Sequence, residues 1–79
     1  MKYQKIIKDL RHELYLTQTD VAKVLNCTQV AYGMYESGKR KLSVENLIKL
    51  AVYYDVTTDY ILGLTNERKS EYMKKNNEL

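Results

Sequence analysis

Apolar residues recur at three- and four-residue intervals along most of the chain, which is the spacing of one face of an α-helix. From Tyr3 to Leu14 they share the chain with basic residues on other faces, so this segment predicts an amphipathic first helix. Four later segments each follow a Thr or Ser that is placed to cap a helix. These segments run from Thr17 to about Asn26, Thr28 to about Ser37, Ser43 to Tyr54, and Thr57 to Leu62. The pattern predicts an all-α fold of five helices.

Glycine and asparagine mark the turns, and proline is absent from the chain. Gly38 and Gly63 stand just after the third and fifth helices, where a left-handed residue commonly ends a helix. Asn26 tolerates the same conformation at the end of the second helix. These residues predict tight exits from three of the five helices.

The chain becomes polar after the fifth helix, so we predict a helical domain over residues 1–64 and a polar tail over residues 65–79. Glu71 can pair with Lys74 in a helical tail, but Glu67 opposes Glu71 at the same spacing. The sequence therefore does not decide whether the tail forms a sixth helix.

Length and composition fit a single small domain. Of the 79 residues 44% are hydrophobic, which is too many for a chain disordered by composition. One cysteine cannot form an internal disulfide, and no apolar run approaches the roughly 18 residues that span a bilayer. We therefore expect a soluble cytoplasmic protein without a membrane partner. All eight aromatic residues are tyrosines, and most are expected at the rim of the core because each hydroxyl needs a partner.

The second and third predicted helices are short and are joined by Asn26, Cys27 and Thr28. Two such helices followed by the basic run at residues 39–41 are typical of a helix-turn-helix. The net charge of +3 is compatible with a polyanionic partner. By helical geometry, residues 29, 30, 33 and 34 share one face of the third helix. The residues that face the other way are Cys27, Tyr32 and Tyr35.

Six segments match the residue pattern of one known family in order and spacing. They are Leu16-Thr17-Gln18, Val21-Ala22, Leu25-Asn26-Cys27-Thr28, Tyr35-Glu36-Ser37-Gly38-Lys39-Arg40-Lys41, Leu47-Ile48-Lys49-Leu50-Ala51 and Asp59-Tyr60-Ile61-Leu62. From about Ile6 to Leu64 the sequence therefore resembles the Cro and lambda-repressor-like (XRE-type) family. The resemblance implies a compact five-helix domain that inserts its third helix into the major groove of duplex DNA, generally as a homodimer on a two-fold symmetric operator.

The resemblance also implies roles for single residues. It implies a phosphate contact at Gln18 and an ion pair between Arg11 and Glu36 that locks the first helix to the end of the third. It turns one set of third-helix residues toward the DNA, namely Thr28, Gln29, Val30, Gly33 and Met34.

These outward residues differ in what they can recognise. Gln29 can bind adenine through N6 and N7, a contact worth about 1–3 kcal/mol of discrimination. Val30 and Met34 can contact only apolar surface such as a thymine methyl group. Gly33 costs a helix interior about 0.5–1 kcal/mol relative to Ala, so a close approach by DNA is expected there. Phosphate contacts are expected from Gln18, Thr28, Lys39, Arg40 and Lys41.

Three classes of function compete. The leading hypothesis is a transcriptional repressor that dimerises on a palindromic operator and needs no cofactor or small-molecule ligand. The second is a protein-interaction module, or an antitoxin, whose partner binds the apolar face of Val30, Gly33 and Met34. An enzyme is disfavoured, because one His, one Cys and no phosphate-cradling glycine loop supply neither convergent catalytic groups nor a metal-ligand spacing.

Three further expectations concern the dimer and two single residues. The surface that joins two copies is expected on the fifth helix and the tail, at Tyr60, Ile61, Leu64, Tyr72 and Met73. Cys27 is interpreted as a small hydrophobic residue and His12 as a solvated one.

Overall fold

Five α-helices form the body of the computed structural model, which describes residues 2–70 and 73. They are α1 (Tyr3–Glu13), α2 (Gln18–Val24), α3 (Gln29–Ser37), α4 (Val44–Tyr54) and α5 (Thr58–Ile61). No strand occurs in this part of the chain, and the predicted all-α, five-helix class is confirmed. Helices α1, α2 and α5 end one or two residues before their predicted ends. No helix among the described residues is long and apolar enough to cross a membrane.

Side-chain caps begin four of the five helices. The hydroxyls of Thr28, Ser43 and Thr57 each accept a hydrogen bond from the backbone amide three residues further on. The Thr17 hydroxyl accepts from the Asp20 amide at 3.1 Å, and the Asp20 carboxylate accepts from the Thr17 amide at 2.8 Å. All four predicted starts are confirmed, and the reciprocal bonds of Thr17 and Asp20 complete a capping box.

Residues with positive φ close the turns between helices. Gly38 (φ 83°), Gly63 (φ 78°) and Asn26 (φ 55°) take the left-handed conformation that the sequence predicts for them. Tyr15 (φ 57°) and Asp55 (φ 56°) adopt it as well, although their Cβ atoms crowd the neighbouring carbonyl oxygen there. The sequence pattern signals neither of these two.

The core lies where α1 packs on α3 and α5, and where α2 and α5 pack on α4. Its most deeply buried side chains are Ile7, Val21, Tyr32, Leu50 and Ile61. Tyr3 and Tyr35 are also buried, and their hydroxyls accept hydrogen bonds from the Leu42 amide at 3.1 Å and the Asn46 side-chain amide at 3.2 Å. Three tyrosines, Tyr3, Tyr32 and Tyr35, therefore lie in the core. Two of their hydroxyls find donors inside the fold, whereas the Tyr32 hydroxyl has no partner among the described residues.

Residues 65–70 form a strap that returns to the helical body. The backbone carbonyl of Arg68 accepts from the Thr57 amide at 2.8 Å. The Arg68 guanidinium donates to both carboxylate oxygens of Glu13 and lies 5.3 Å from the centre of the Tyr60 ring. The strap thus joins the end of α1 to the start of α5.

Predictions for the tail and the dimer surface have mixed outcomes. Residues 65–70 are not helical. The rest of the tail in which a sixth helix was considered, residues 71–79, lies outside the described residues except for Met73. Tyr72 lies outside the described residues. The expectation that Ile61 helps to join two copies is wrong, because its side chain is completely buried in the core. Leu64 is exposed.

Candidate nucleic-acid interface

A four-residue turn joins α2 to α3. Asn26 reverses the chain with its positive φ, and the Cys27 amide donates to the Ala22 carbonyl at 3.0 Å. Thr28 then starts α3 by accepting from the Ala31 amide at 3.1 Å. Two short helices on a tight, capped turn form a helix-turn-helix.

The outward and inward faces of α3 are divided as the helical spacing predicts. Gln29 and Val30 are exposed, the latter by 63%, whereas Gly33 and Met34 are half-buried. Tyr32 is completely buried on the opposite face. The start of α3 therefore presents an amide and a branched apolar side chain to solvent.

The first residues of α2 and α3 are joined by their side chains. Gln29 Nε2 donates to Gln18 Oε1 at 2.6 Å, and Gln18 Nε2 donates in turn to Glu36 Oε1 at 3.2 Å. This chain of three side chains fixes the orientation of both amides. The sequence singles out Gln18 and Gln29 separately, but the bond between them appears only when the turn brings the two helix starts together.

Gly33 lies beneath this glutamine pair. A Cβ atom at position 33 would sit 3.1 Å from Gln18 Oε1 and 3.7 Å from Gln29 Nε2, and the shorter of these is tighter than normal van der Waals contact. The glycine therefore already has a close neighbour within the protein, since the Gln18 side chain lies over it.

A bidentate ion pair anchors the glutamine chain to α1. Arg11 Nε and Nη2 donate to the two carboxylate oxygens of Glu36 at 2.8 and 3.0 Å, and Nη1 donates to the Leu16 carbonyl at 3.0 Å. Only 10% of the Arg11 side chain and 4% of the Glu36 side chain are exposed. Burial raises the pKa of Glu36, but hydrogen bonds from Arg11 and Gln18 outweigh burial and hold that pKa below its ordinary value. The hydrogen bond to Glu36 likewise raises the pKa of Arg11.

Two tyrosine hydroxyls lie beside this ion pair. The hydroxyls of Tyr32 and Tyr54 are buried and have no hydrogen-bond partner among the described residues. Burial raises the pKa of both phenols far above the ordinary tyrosine value. Both phenols are therefore neutral at physiological pH and add no charge next to the Arg11–Glu36 pair.

The basic loop, which consists of Lys39, Arg40 and Lys41, follows α3 directly. All three side chains are exposed, and none takes part in an ion pair within the described residues. The Arg40 amide donates to the Met34 carbonyl at 3.2 Å, so the loop begins folded back on the end of α3. Its charges are available to an anionic partner.

Cys27 and His12, the other residues considered in the sequence analysis, are not part of a reactive or metal-binding cluster among the described residues. Cys27 is a half-buried free thiol packed against the core, and His12 is exposed. No group of three potential metal ligands occurs in the part of the chain that the structure describes.

Comparisons with known proteins agree with this geometry. A family model described as helix-turn-helix matches residues 7–61, which is more than half of the chain. The uncharacterized HTH-type transcriptional regulator YobD of Bacillus subtilis is 35% identical over 74 residues, covering 94% of this chain and 66% of its own length. The HTH-type transcriptional regulator ImmR of the same organism is 36% identical over 76 residues, covering 96% of this chain and 56% of its own length.

A solved structure is also similar. The crystal structure of a transcriptional regulator from Listeria innocua matches with a TM-score of 0.75 at 26% identity, over 96% of this chain and 71% of that chain. The chain spans less than two thirds of the length of the two curated relatives.

Proposed function

The chain belongs to the helix-turn-helix family of the Cro and lambda-repressor-like (XRE) type, and on this basis we propose that it is a sequence-specific DNA-binding regulator of transcription. It acts in the cytoplasm as a repressor, and it binds a palindromic operator as a dimer. One observation carries the proposal, namely the hydrogen-bonded chain from Gln29 through Gln18 to Glu36 at the exposed start of α3.

The orientation of the Gln29 amide favours adenine. One hydrogen of Nε2 is directed to Gln18, which leaves the second hydrogen and the Oε1 lone pairs for a ligand. This donor and acceptor complement N7 and the N6 amino group of adenine in the major groove. Because the amide is held before DNA arrives, little side-chain entropy remains to be lost on binding.

Apolar and charged residues complete the interface. Val30 and Met34 contact a thymine methyl group or similar apolar surface next to the adenine. The phosphate contacts come from Gln18, Thr28, Lys39, Arg40 and Lys41. With about three to five phosphates neutralised in each half-site, the logarithmic salt slope of a dimer lies between roughly −5 and −9.

Dimerisation sets the spacing of the operator. Two copies related by a two-fold axis place their recognition helices about one DNA turn apart, on half-sites separated by roughly 34 Å. Leu64 is 73% exposed and, with Tyr60, lies on the surface that joins the copies. Repression follows when the bound dimer occludes the polymerase.

The exposed Val30 side chain also supports a second candidate. A protein-interaction module or antitoxin would use the apolar face of α3 to bind a protein. The two candidates differ in the role of Gln29 and of the basic loop, which only DNA binding requires.

Selection of bound sequences from random duplex DNA at two salt concentrations tests the proposal. An inverted repeat is the expected result, and a protein that retains no duplex even in dilute buffer would refute it. Gln29→Ala should reduce discrimination between the selected operator and an altered site by about 1–3 kcal/mol, while binding to unrelated DNA changes little.

The phosphate contacts are tested separately. The double variant Arg40→Ala, Lys41→Ala should weaken binding to every sequence and flatten the salt slope. The matched control is Lys5→Ala with Lys49→Ala, which removes the same net charge from lysines that pair with Asp9 and Glu45. If the two double variants had equal salt slopes, the basic loop would not contact DNA phosphates.

A further inference from the structure

Tyr15 is the left-handed residue that closes α1 in a Schellman-type cap, but the cap does not explain why a tyrosine occupies this position. Its φ of 57° lies in the left-handed region, which glycine adopts without strain and asparagine at a small cost, whereas a tyrosine is strained there. Its side chain is 95% exposed, so no packing within the domain offsets the strain. Strained backbone of this kind is concentrated at functional sites.

The turn holds Tyr15 in a fixed place. Its amide donates to the His12 carbonyl at 3.0 Å, and the next residue, Leu16, donates its amide to the Arg11 carbonyl at 3.1 Å. The Leu16 carbonyl accepts from Arg11 Nη1 at 3.0 Å. The guanidinium that holds the turn is therefore the same one that pairs with Glu36 and, through it, orients Gln18.

The position of Tyr15 is close to the predicted phosphate contact at Gln18. Only two residues lie between Tyr15 and Gln18 along the chain, so their Cα atoms lie within about 11 Å of each other. The nearby carboxylate of Glu13 is neutralised by two hydrogen bonds from Arg68. An anionic backbone can therefore approach this turn without meeting an unpaired Glu13 charge.

We propose that Tyr15 is a further DNA contact, with its ring against a sugar and its hydroxyl donating to a phosphate next to the one bound by Gln18. The inference rests on the proposed function. Tyrosine hydroxyls are among the groups that bind DNA phosphates, and such contacts position a protein without reading bases. A neutral phenol releases no counterion, so its contribution to affinity is independent of salt.

The test compares Tyr15→Phe with the wild-type chain on the selected operator and on unrelated DNA. Each subunit of the dimer loses one hydrogen bond to a charged group, so both affinities should fall about tenfold per subunit and about a hundredfold for the dimer. The salt slope should stay unchanged, in contrast to the flattening expected for the basic loop. Tyr53→Phe, which removes a hydroxyl from a side chain that is 42% exposed on α4, is the matched control and should bind like the wild type.

Two additional measurements separate a contact from a structural role. Tyr15→Gly should lose the same affinity without a lower Tm, because relief of the strained φ offsets the greater freedom of the unfolded chain. Ethylation of one flanking phosphate should weaken the wild type but leave Tyr15→Phe unaffected.

The outcomes distinguish the two proposals. A wild type that binds its operator while both Tyr15 variants bind equally well would overturn the contact and leave the proposed function intact. A wild type that binds no duplex would overturn both.

Discussion

The Arg11–Glu36 ion pair gives the sharpest test of how the domain is held together. In the variant Glu36→Gln the guanidinium stays buried with no opposing charge. Removal of one partner from a buried pair costs about 3–5 kcal/mol. In a domain of this size each 1 kcal/mol lowers Tm by about 4–8 °C, so we expect a fall of at least about 12 °C.

Replacement of both partners separates the charge from the packing. The double variant Arg11→Met, Glu36→Met leaves no unpaired ion, and its free energy of unfolding should lie within about 1–2 kcal/mol of the wild type. It also removes the acceptor that orients Gln18, so discrimination between operators should still fall. Restored stability with impaired recognition would show that the pair serves the interface as well as the fold.

Acid titration provides a second measurement of the same pair. The folded-state pKa of Glu36 is below its unfolded value, so its contribution is complete above the ordinary glutamate pKa of about 4.3. That contribution is lost as the pH falls through the lower, folded-state value. The wild type should therefore lose stability steeply in acid, and Glu36→Gln should show a flatter dependence.

Urea unfolding at neutral pH is the assay, with Asp9→Asn as the control because the Lys5–Asp9 pair is exposed and is expected to contribute less than about 1 kcal/mol. If Glu36→Gln were no less stable than Asp9→Asn, the ion pair would not be shielded from water as the structure indicates, and the reasoning would fail.

Three smaller changes probe other contacts. Thr17→Ala should destabilise the domain by about 1 kcal/mol in thermal unfolding, because it removes the capping box of α2; an unchanged Tm would contradict this role. Gly33→Ala should lower discrimination in operator-binding assays, since the new Cβ lies 3.1 Å from Gln18 Oε1 and pushes Gln18 aside; stability should change by less than about 1 kcal/mol, because loss of the Gln18 hydrogen bonds offsets the helix-propensity gain, and unaltered discrimination would argue against that displacement. Tyr32→Phe should leave stability unchanged or slightly higher in urea, because the hydroxyl it removes is buried without a partner, and a marked loss would reveal a hydrogen bond to that group.

The features of the fold that the sequence predicts are those that residues close together in the chain determine. A hydroxyl at Thr17, Thr28, Ser43 or Thr57 caps its helix within a span of three residues, so neighbouring residues alone identify these starts. Tyr15 and Asp55 escape prediction because their left-handed backbone is imposed by the surrounding turn. The burial of Ile61 likewise depends on the packing of α5 against α1 and α4.

The site was predictable to the extent that helical periodicity determines it. The spacing along α3 places Gln29 and Val30 on the face opposite Tyr32 and Tyr35, and the family resemblance implies that this face is the outward one. The bond between Gln29 and Gln18, and the place of Gly33 beneath it, depend on how closely two helices approach, which no local pattern encodes. The strap has the same origin, since Arg68 meets Glu13 across 55 positions of the chain.

The strap also bears on how the domain can be shortened. A polypeptide that stopped at residue 64 would keep all five helices but would lose the backbone hydrogen bond at Thr57 and leave Glu13 with an unbalanced charge beside Tyr15. Such a truncated version is expected to melt earlier and to repel polyanions at that turn. Recombinant fragments intended for binding studies should therefore extend at least through Ser70.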